Sequence, residues 1–233
     1  MDPVAACADA AAGWHASWLA ALGQRSERRA EVWRAVDPPP FIYWTAITLR
    51  ADADEASVAD AHGPVCDSWS RLDLEPFGFA PRDPEPWFLR PPGELPHEEP
   101  PVGLEVVRVS TAPEVLEFER VSVRGFGGDD ASVEPGLLHP PAILADGRMT
   151  LLVGRRAGEA VAAATSYRTD AAVGIYGVTT VAPARGRGYA SALTRALLDP
   201  ALPAVLSPSP EAERLYRRLG FERVGALRQW HRA

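Results

Sequence analysis

The stretch Val181-Ala182-Pro183-Ala184-Arg185-Gly186-Arg187-Gly188-Tyr189-Ala190 carries the densest chemical signal in the sequence. It joins a run of β-branched residues at 173–181 to a segment, 187–198, with Ala190, Leu193, Thr194 and Leu197 on one helical face. A strand–turn–helix junction leaves the first backbone N–H groups of the helix without intrahelical partners and sets the positive end of the helix dipole beside them. Gly186, Gly188 and the small Ala190 let a ligand come close to that backbone, so a diphosphate can be held there by amides alone, and Arg185 and Arg187 add positive charge. The plain alternative is a turn that needs glycine only for its dihedrals. A lone Gly-x-Gly would not separate the two. An apolar residue and a proline ahead of Arg-x-x-Gly-x-Ala is far more restrictive.

On these residues the segment resembles the acetyl-CoA signature of the GNAT superfamily of N-acyltransferases, with Arg185, Gly188 and Ala190 at its Arg/Gln-x-x-Gly-x-Gly/Ala positions. The resemblance covers about residues 102–233. It implies that the amides of Arg185, Gly186, Arg187, Gly188, Tyr189 and Ala190 bind the pyrophosphate of acetyl-CoA as co-substrate. It also implies that the strand residues Val178, Thr179, Thr180 and Val181 pair through their backbone with pantetheine.

Downstream, Ser209-Pro210-Glu211-Ala212-Glu213-Arg214-Leu215-Tyr216-Arg217-Arg218-Leu219-Gly220-Phe221 reads as a short helix with Ser209 as N-cap, Pro210 at its first position and Gly220 past its end. The string is similar to the GNAT segment beside the cofactor sulfur, and the resemblance puts Tyr216 in the place of its catalytic tyrosine. A phenol there can give a departing thiolate a proton or a hydrogen bond; the alternative is a core aromatic on a helix face. The family commonly has Asn where Ser209 stands.

Acetyl transfer to an amine also requires loss of the ammonium proton. Some members of the family place a glutamate on the central strand, but residues 171–178 here hold no carboxylate, and Asp170 lies at the strand's beginning. Glu117, Glu119, Asp129, Asp130 and His139 are the remaining candidates for a base, each with solvated surface residue as its ordinary reading. Tyr176 and Tyr167 are candidates for the acceptor pocket, or for the core.

The elements that must position these residues follow from periodicity. Residues 104–109 read as a strand, followed by a helix opened by the capping box Thr111-Ala112-Pro113-Glu114 and ended by glycines 125–128. Residues 149–154, 160–167 and 173–181 read as a meander, 204–206 as a short strand and 221–230 as a last one. Five prolines at residues 91–101 mark a boundary between an N-terminal α+β domain, 1–95, and the GNAT acetyltransferase domain, 102–233. In the first part, Trp14, Trp18, Leu19 and Leu22 suggest a helix, 41–49 a strand and 57–72 a helix. Gly78-Phe79 before Trp87 echoes Gly220-Phe221 before Trp230, consistent with a degenerate GNAT-like half. The expected fold class is α/β (α+β), a mixed central sheet with flanking helices.

The bulk numbers narrow the partners. A net charge of -7 over 233 residues argues against nucleic acid and anionic membrane. All 24 Lys+Arg cations are arginine, and asparagine is absent too, as a GC-rich coding bias would produce. Cys7 and Cys66 are too few and too far apart for a disulfide framework or metal site. No signal peptide or membrane span is expected, so the chain reads as cytoplasmic, without metal. The expected activity is N-acetyl transfer from acetyl-CoA to a primary amine of a small molecule or peptide, by a chain that could act as a homodimer. The alternatives are a non-catalytic acyl-CoA-binding sensor and a binding protein that keeps only the fold.

Overall fold

The computed structural model describes residues 2–233. Helix α1 spans Pro3–Ala21; the Asp2 side chain accepts the Val4 amide at 2.9 Å and Pro3 opens the first turn. Small alanines let α1 sink into the protein, with Trp18 and Leu19 fully buried. Short strands follow: β1 (Ser26–Arg28), β2 (Val32–Ala35), β3 (Ala46–Thr48), β4 (Val65–Asp67), β5 (Phe79–Pro81) and β6 (Glu85–Arg90). The helix expected over 57–72 does not form. A single 3-10 turn, Glu55–Ser57, and the buried strand β4 stand there instead. Strand β4 pairs in parallel with β3 and antiparallel with the last strand, so distant pairing overrides the local apolar spacing.

The second part runs β7 (Leu104–Arg108), α2 (Ala112–Gly127), β8 (Met149–Arg156), β9 (Glu159–Arg168), β10 (Val173–Thr180), α3 (Tyr189–Leu197), β11 (Ala204–Leu206), α4 (Glu213–Arg218) and β12 (Glu222–Arg232). The Glu114 carboxylate accepts the amides of Ser110 and Thr111, as the capping box requires. The glycines expected to end α2 lie partly inside it, and only Gly128 leaves helical geometry. Helix α4 begins at Glu213, later than Pro210, because the Ala212 and Glu213 amides first close a turn on the Ser209 carbonyl.

All twelve strands form one sheet in the order β1-β2-β3-β4-β12-β6-β11-β10-β9-β8-β7, with β5 on β12. Strand β6, which precedes the proline run, lies between β11 and β12, which follow it. One hydrophobic core holds α1 together with strands from both sides of that run.

Side-chain alternation separates the two faces. On one, Trp14 of α1 donates from its indole Nε1 to Thr165 Oγ1 at 2.9 Å. On the same face, α2 approaches so closely that a Cβ on Gly125 would lie 2.2 Å from Thr179 Oγ1. On the other, Leu193 of α3 packs over Gly154. No helix among the described residues is long and apolar enough to cross a membrane, and no cluster of metal-ligating side chains occurs among them. Cys7 and Cys66 are buried free thiols whose ionisation burial disfavours.

Candidate active site

Strand β10 meets β11 only at Val173 and Gly174, so beyond that point its edge on the β11 side is unpaired. The sheet opens there like a fork. On its other side β10 stays paired with β9 through Thr180, but the register slips between Tyr176 and Thr179, where Gly177 takes φ +60°. The bulge interrupts the ladder in a backbone region that glycine enters without strain. The Val181 amide donates to the Val161 carbonyl at 3.0 Å. By strand alternation the backbone groups of Thr179 therefore face β9, and those of Val178 and Thr180 face the open edge. The Thr180 carbonyl already accepts from Arg185 Nε at 3.0 Å.

The chain then makes a 3-10 turn over Ala182–Ala184 and enters α3 through Gly188, its N-cap, at φ +80°. The amides of Gly186, Arg187, Gly188, Tyr189, Ala190 and Ser191 have no hydrogen-bond partner among the described residues. They converge at the positive end of α3. No atom lies within 4 Å of a Cβ placed on Gly186, and at Gly188 only Pro101 Cγ does, at 3.4 Å. This is an open cradle of unpaired donors suited to an anion.

The two arginines of the turn differ in role. The Arg185 guanidinium donates to Thr180 O and, at 2.8 Å, to Gly125 O, so it ties the turn to the end of α2. Arg187 is exposed and has no ion-pair partner among the described residues, leaving its charge available. The Tyr189 side chain is buried.

Tyr216 on α4 is 7% exposed and packs edge-on against Phe221, with ring centroids 5.7 Å apart. Burial pushes its phenol up to about 12. The phenol is therefore protonated at neutral pH. Within α3 the Thr194 hydroxyl donates to the Ala190 carbonyl at 2.8 Å.

On the α1 and α2 face a cleft of about 650 Å³ reaches the strand at the Gly177 bulge. Helix α2 contributes Ser122, Val123 and Phe126, and the segment after it contributes Leu138 and His139. Trp14, Phe41 and Ile42 complete it from the first 95 residues. No signal in the last 130 residues could have shown that contribution. The lining holds no carboxylate.

The candidates for a base sit in different surroundings. Glu119 is buried and accepts the amides of Gly136, Leu138 and His139 at 2.6–2.8 Å, so it anchors the cleft wall. Glu117 pairs with Arg155, and Asp129 lies 3.8 Å from Arg124; Asp130 is exposed. His139 does line the cleft, between the rings of Trp18 and Phe118, with Nδ1 buried and unpartnered. Burial lowers it to about 3, so it is a neutral imidazole at physiological pH. Tyr167 and Tyr176 do not line the cleft. Tyr176 packs on Trp14, and the Tyr167 hydroxyl accepts from Arg148.

Residues 119–221 match the model of the acetyltransferase (GNAT) family. Among solved structures, a GCN5-related N-acetyltransferase from Kribbella flavida superposes with a TM-score of 0.63 at 19% identity, covering 95% of each chain. A GNAT-family protein from Novosphingobium aromaticivorans gives 0.59 at 19% identity over 95% of this chain and 96% of its own. A functionally unknown conserved protein from Staphylococcus epidermidis gives 0.59 at 13% over 89% and 93%. No curated protein matches the sequence. The shared fold extends over nearly the whole chain, including the first 95 residues. Residues 119–221 are a domain of the acetyltransferase (GNAT) family.

Proposed function

We propose that this protein is an N-acetyltransferase that moves the acetyl group of acetyl-CoA to a primary amine by direct attack. The observation that carries the reading is the row of unpartnered amides from Gly186 to Ser191, set beside a strand edge that β11 has left free. Those amides and Arg187 would hold the pyrophosphate, and the edge groups of Val178 and Thr180 would hold the amide-bearing pantetheine arm. Acetyl-CoA supplies the activated acyl group, as a thioester. Tyr216, kept protonated by burial, would donate a hydrogen bond to the departing sulfur. A phenol near 12 is a weaker acid than a thiol near 8.5, so full transfer of its proton is uphill by about 5 kcal/mol. Hydrogen bonding, rather than complete protonation, is the role its setting supports. The ammonium proton leaves to solvent, since no carboxylate lines the cleft.

That missing carboxylate also favours a second reading, a sensor that binds acyl-CoA without turnover. Isothermal titration with acetyl-CoA, combined with thiol-release assays over amines and peptides, tests both. Binding with turnover supports the transferase and binding without turnover the sensor. No binding at millimolar acetyl-CoA refutes both.

A further inference from the structure

The acceptor cleft has a chemistry of its own, which rests on the transferase reading. Phe41, Ile42 and Phe126 line it and are 78%, 38% and 67% exposed, so three of the eight exposed large apolar side chains among the described residues face one opening. Exposed apolar side chains gathered around a concave site mark ligand contact rather than random surface. Inside, Trp14 and Leu138 continue the apolar wall, and the Trp14 indole N–H is already engaged with Thr165. The polar atoms that remain are the Ser122 and Ser132 hydroxyls and the imidazole of His139. The nearest buried negative charge, Glu119, is turned away into three backbone amides. A polycationic acceptor would find no counter-ion here, and burying a charge without one is strongly unfavourable.

We propose that this cleft selects a small amine whose body is apolar and of aromatic size, such as an arylalkylamine, and discriminates against polycationic amines. The body lies along Phe41, Ile42, Phe126 and Trp14. The amine nitrogen points to the Gly177 bulge, where the cleft meets the open edge of β10. In the reaction the neutral nitrogen forms the new N–C bond, the C–S bond breaks to release CoA thiolate, and the extra proton on nitrogen passes to water. The volume of about 650 Å³ suits an organic amine of drug size.

The test uses the full chain in a thiol-release assay with tryptamine and 4-phenylbutylamine against kanamycin, spermidine and a peptide with a free N-terminus. Acetyl-CoA binding is measured separately by calorimetry. The aromatic amines should exceed kanamycin and spermidine in kcat/KM by about 100-fold, the ratio expected for burying one ring-sized apolar body. F126D, at an exposed position, should lower kcat/KM for tryptamine about tenfold and narrow its advantage over spermidine. Circular dichroism checks its fold. Equilibrium dialysis of tryptamine against wild type and F126D reads the cleft without turnover, and weaker retention by the variant supports the assignment. Preference for kanamycin, spermidine or the peptide, with acetyl-CoA bound, overturns this inference and leaves the transferase reading intact. Loss of acetyl-CoA binding in wild type overturns the transferase reading instead. Equal retention of tryptamine by both proteins overturns the cleft assignment.

Discussion

Replacing Gly188 with aspartate tests the donor site with little effect on the fold. Gly188 is the N-cap of α3 at φ +80°, a left-handed conformation that aspartate tolerates better than most residues. The strain costs about 1 kcal/mol. The melting temperature should therefore change by no more than about 2–4 °C in a chain of this size. The new carboxylate stands at the start of α3 beside the unpartnered amides of Ala190 and Ser191, where it competes with an anion for them. Each hydrogen bond to a charged partner contributes roughly 1.5–3 kcal/mol, so losing two costs at least about 3 kcal/mol of CoA affinity. With the like charge now facing the diphosphate, Kd for acetyl-CoA should rise by at least about 100-fold in calorimetry. Gly158→Asp is the control: Gly158 has φ +81° in the β8–β9 turn, with open space around it, and should show the strain without the binding loss. A folded Gly188→Asp protein that binds acetyl-CoA within about threefold of wild type would show that the anion does not sit at this turn.

The two arginines of the turn should separate. Arg185→Ala removes two hydrogen bonds to backbone carbonyls and should lower the melting temperature by about 2–8 °C, whereas Arg187→Ala should leave it unchanged and weaken acetyl-CoA binding in a salt-dependent way. Tyr216→Phe should reduce kcat about 10–100-fold with acetyl-CoA affinity kept; an unchanged kcat in single-turnover assays would remove Tyr216 from the chemistry. Glu119→Gln puts an amide nitrogen against backbone N–H donors and should destabilise by about 2–4 kcal/mol in urea unfolding, with an unchanged midpoint counting against its anchoring role. His15 and His139 are held neutral by burial, lowered to about 4 and about 3. The unfolded chain takes up their protons below about pH 6.5 while the native state does not, so acidification favours unfolding. Each should contribute a stability loss of about 1.4 kcal/mol per pH unit between pH 6.5 and its folded value, and His139→Gln should flatten that slope between pH 6 and 5 in thermal melts.

The sequence by itself determined the features that are local in the chain. The strand–turn–helix junction around Arg185–Ala190, the capping box at Thr111, the meander that ends in β10 and the helix bearing Tyr216 follow from side-chain spacing and backbone preference over ten or twenty residues. The open cradle of amides is itself a local consequence of a helix start flanked by glycines. Tertiary structure decided whatever depends on residues far apart. Residues 57–72 have helical apolar spacing, but β4 forms there because β3 and β12 supply the hydrogen-bonding edges. Arg185 reads as a phosphate ligand from its motif, yet the end of α2, 60 residues earlier, offers the carbonyl that engages it. Glu119 and His139 read as surface residues until the loop carrying Gly136 to His139 folds back over α2 and buries both. Strand β6 reaches across the proline run to lie between β11 and β12, and α1 brings Trp14 to the cleft. Hydrogen-bond pairing between strands and burial of apolar surface are satisfied by whichever partners the whole chain brings together, and short-range periodicity carries no record of those partners.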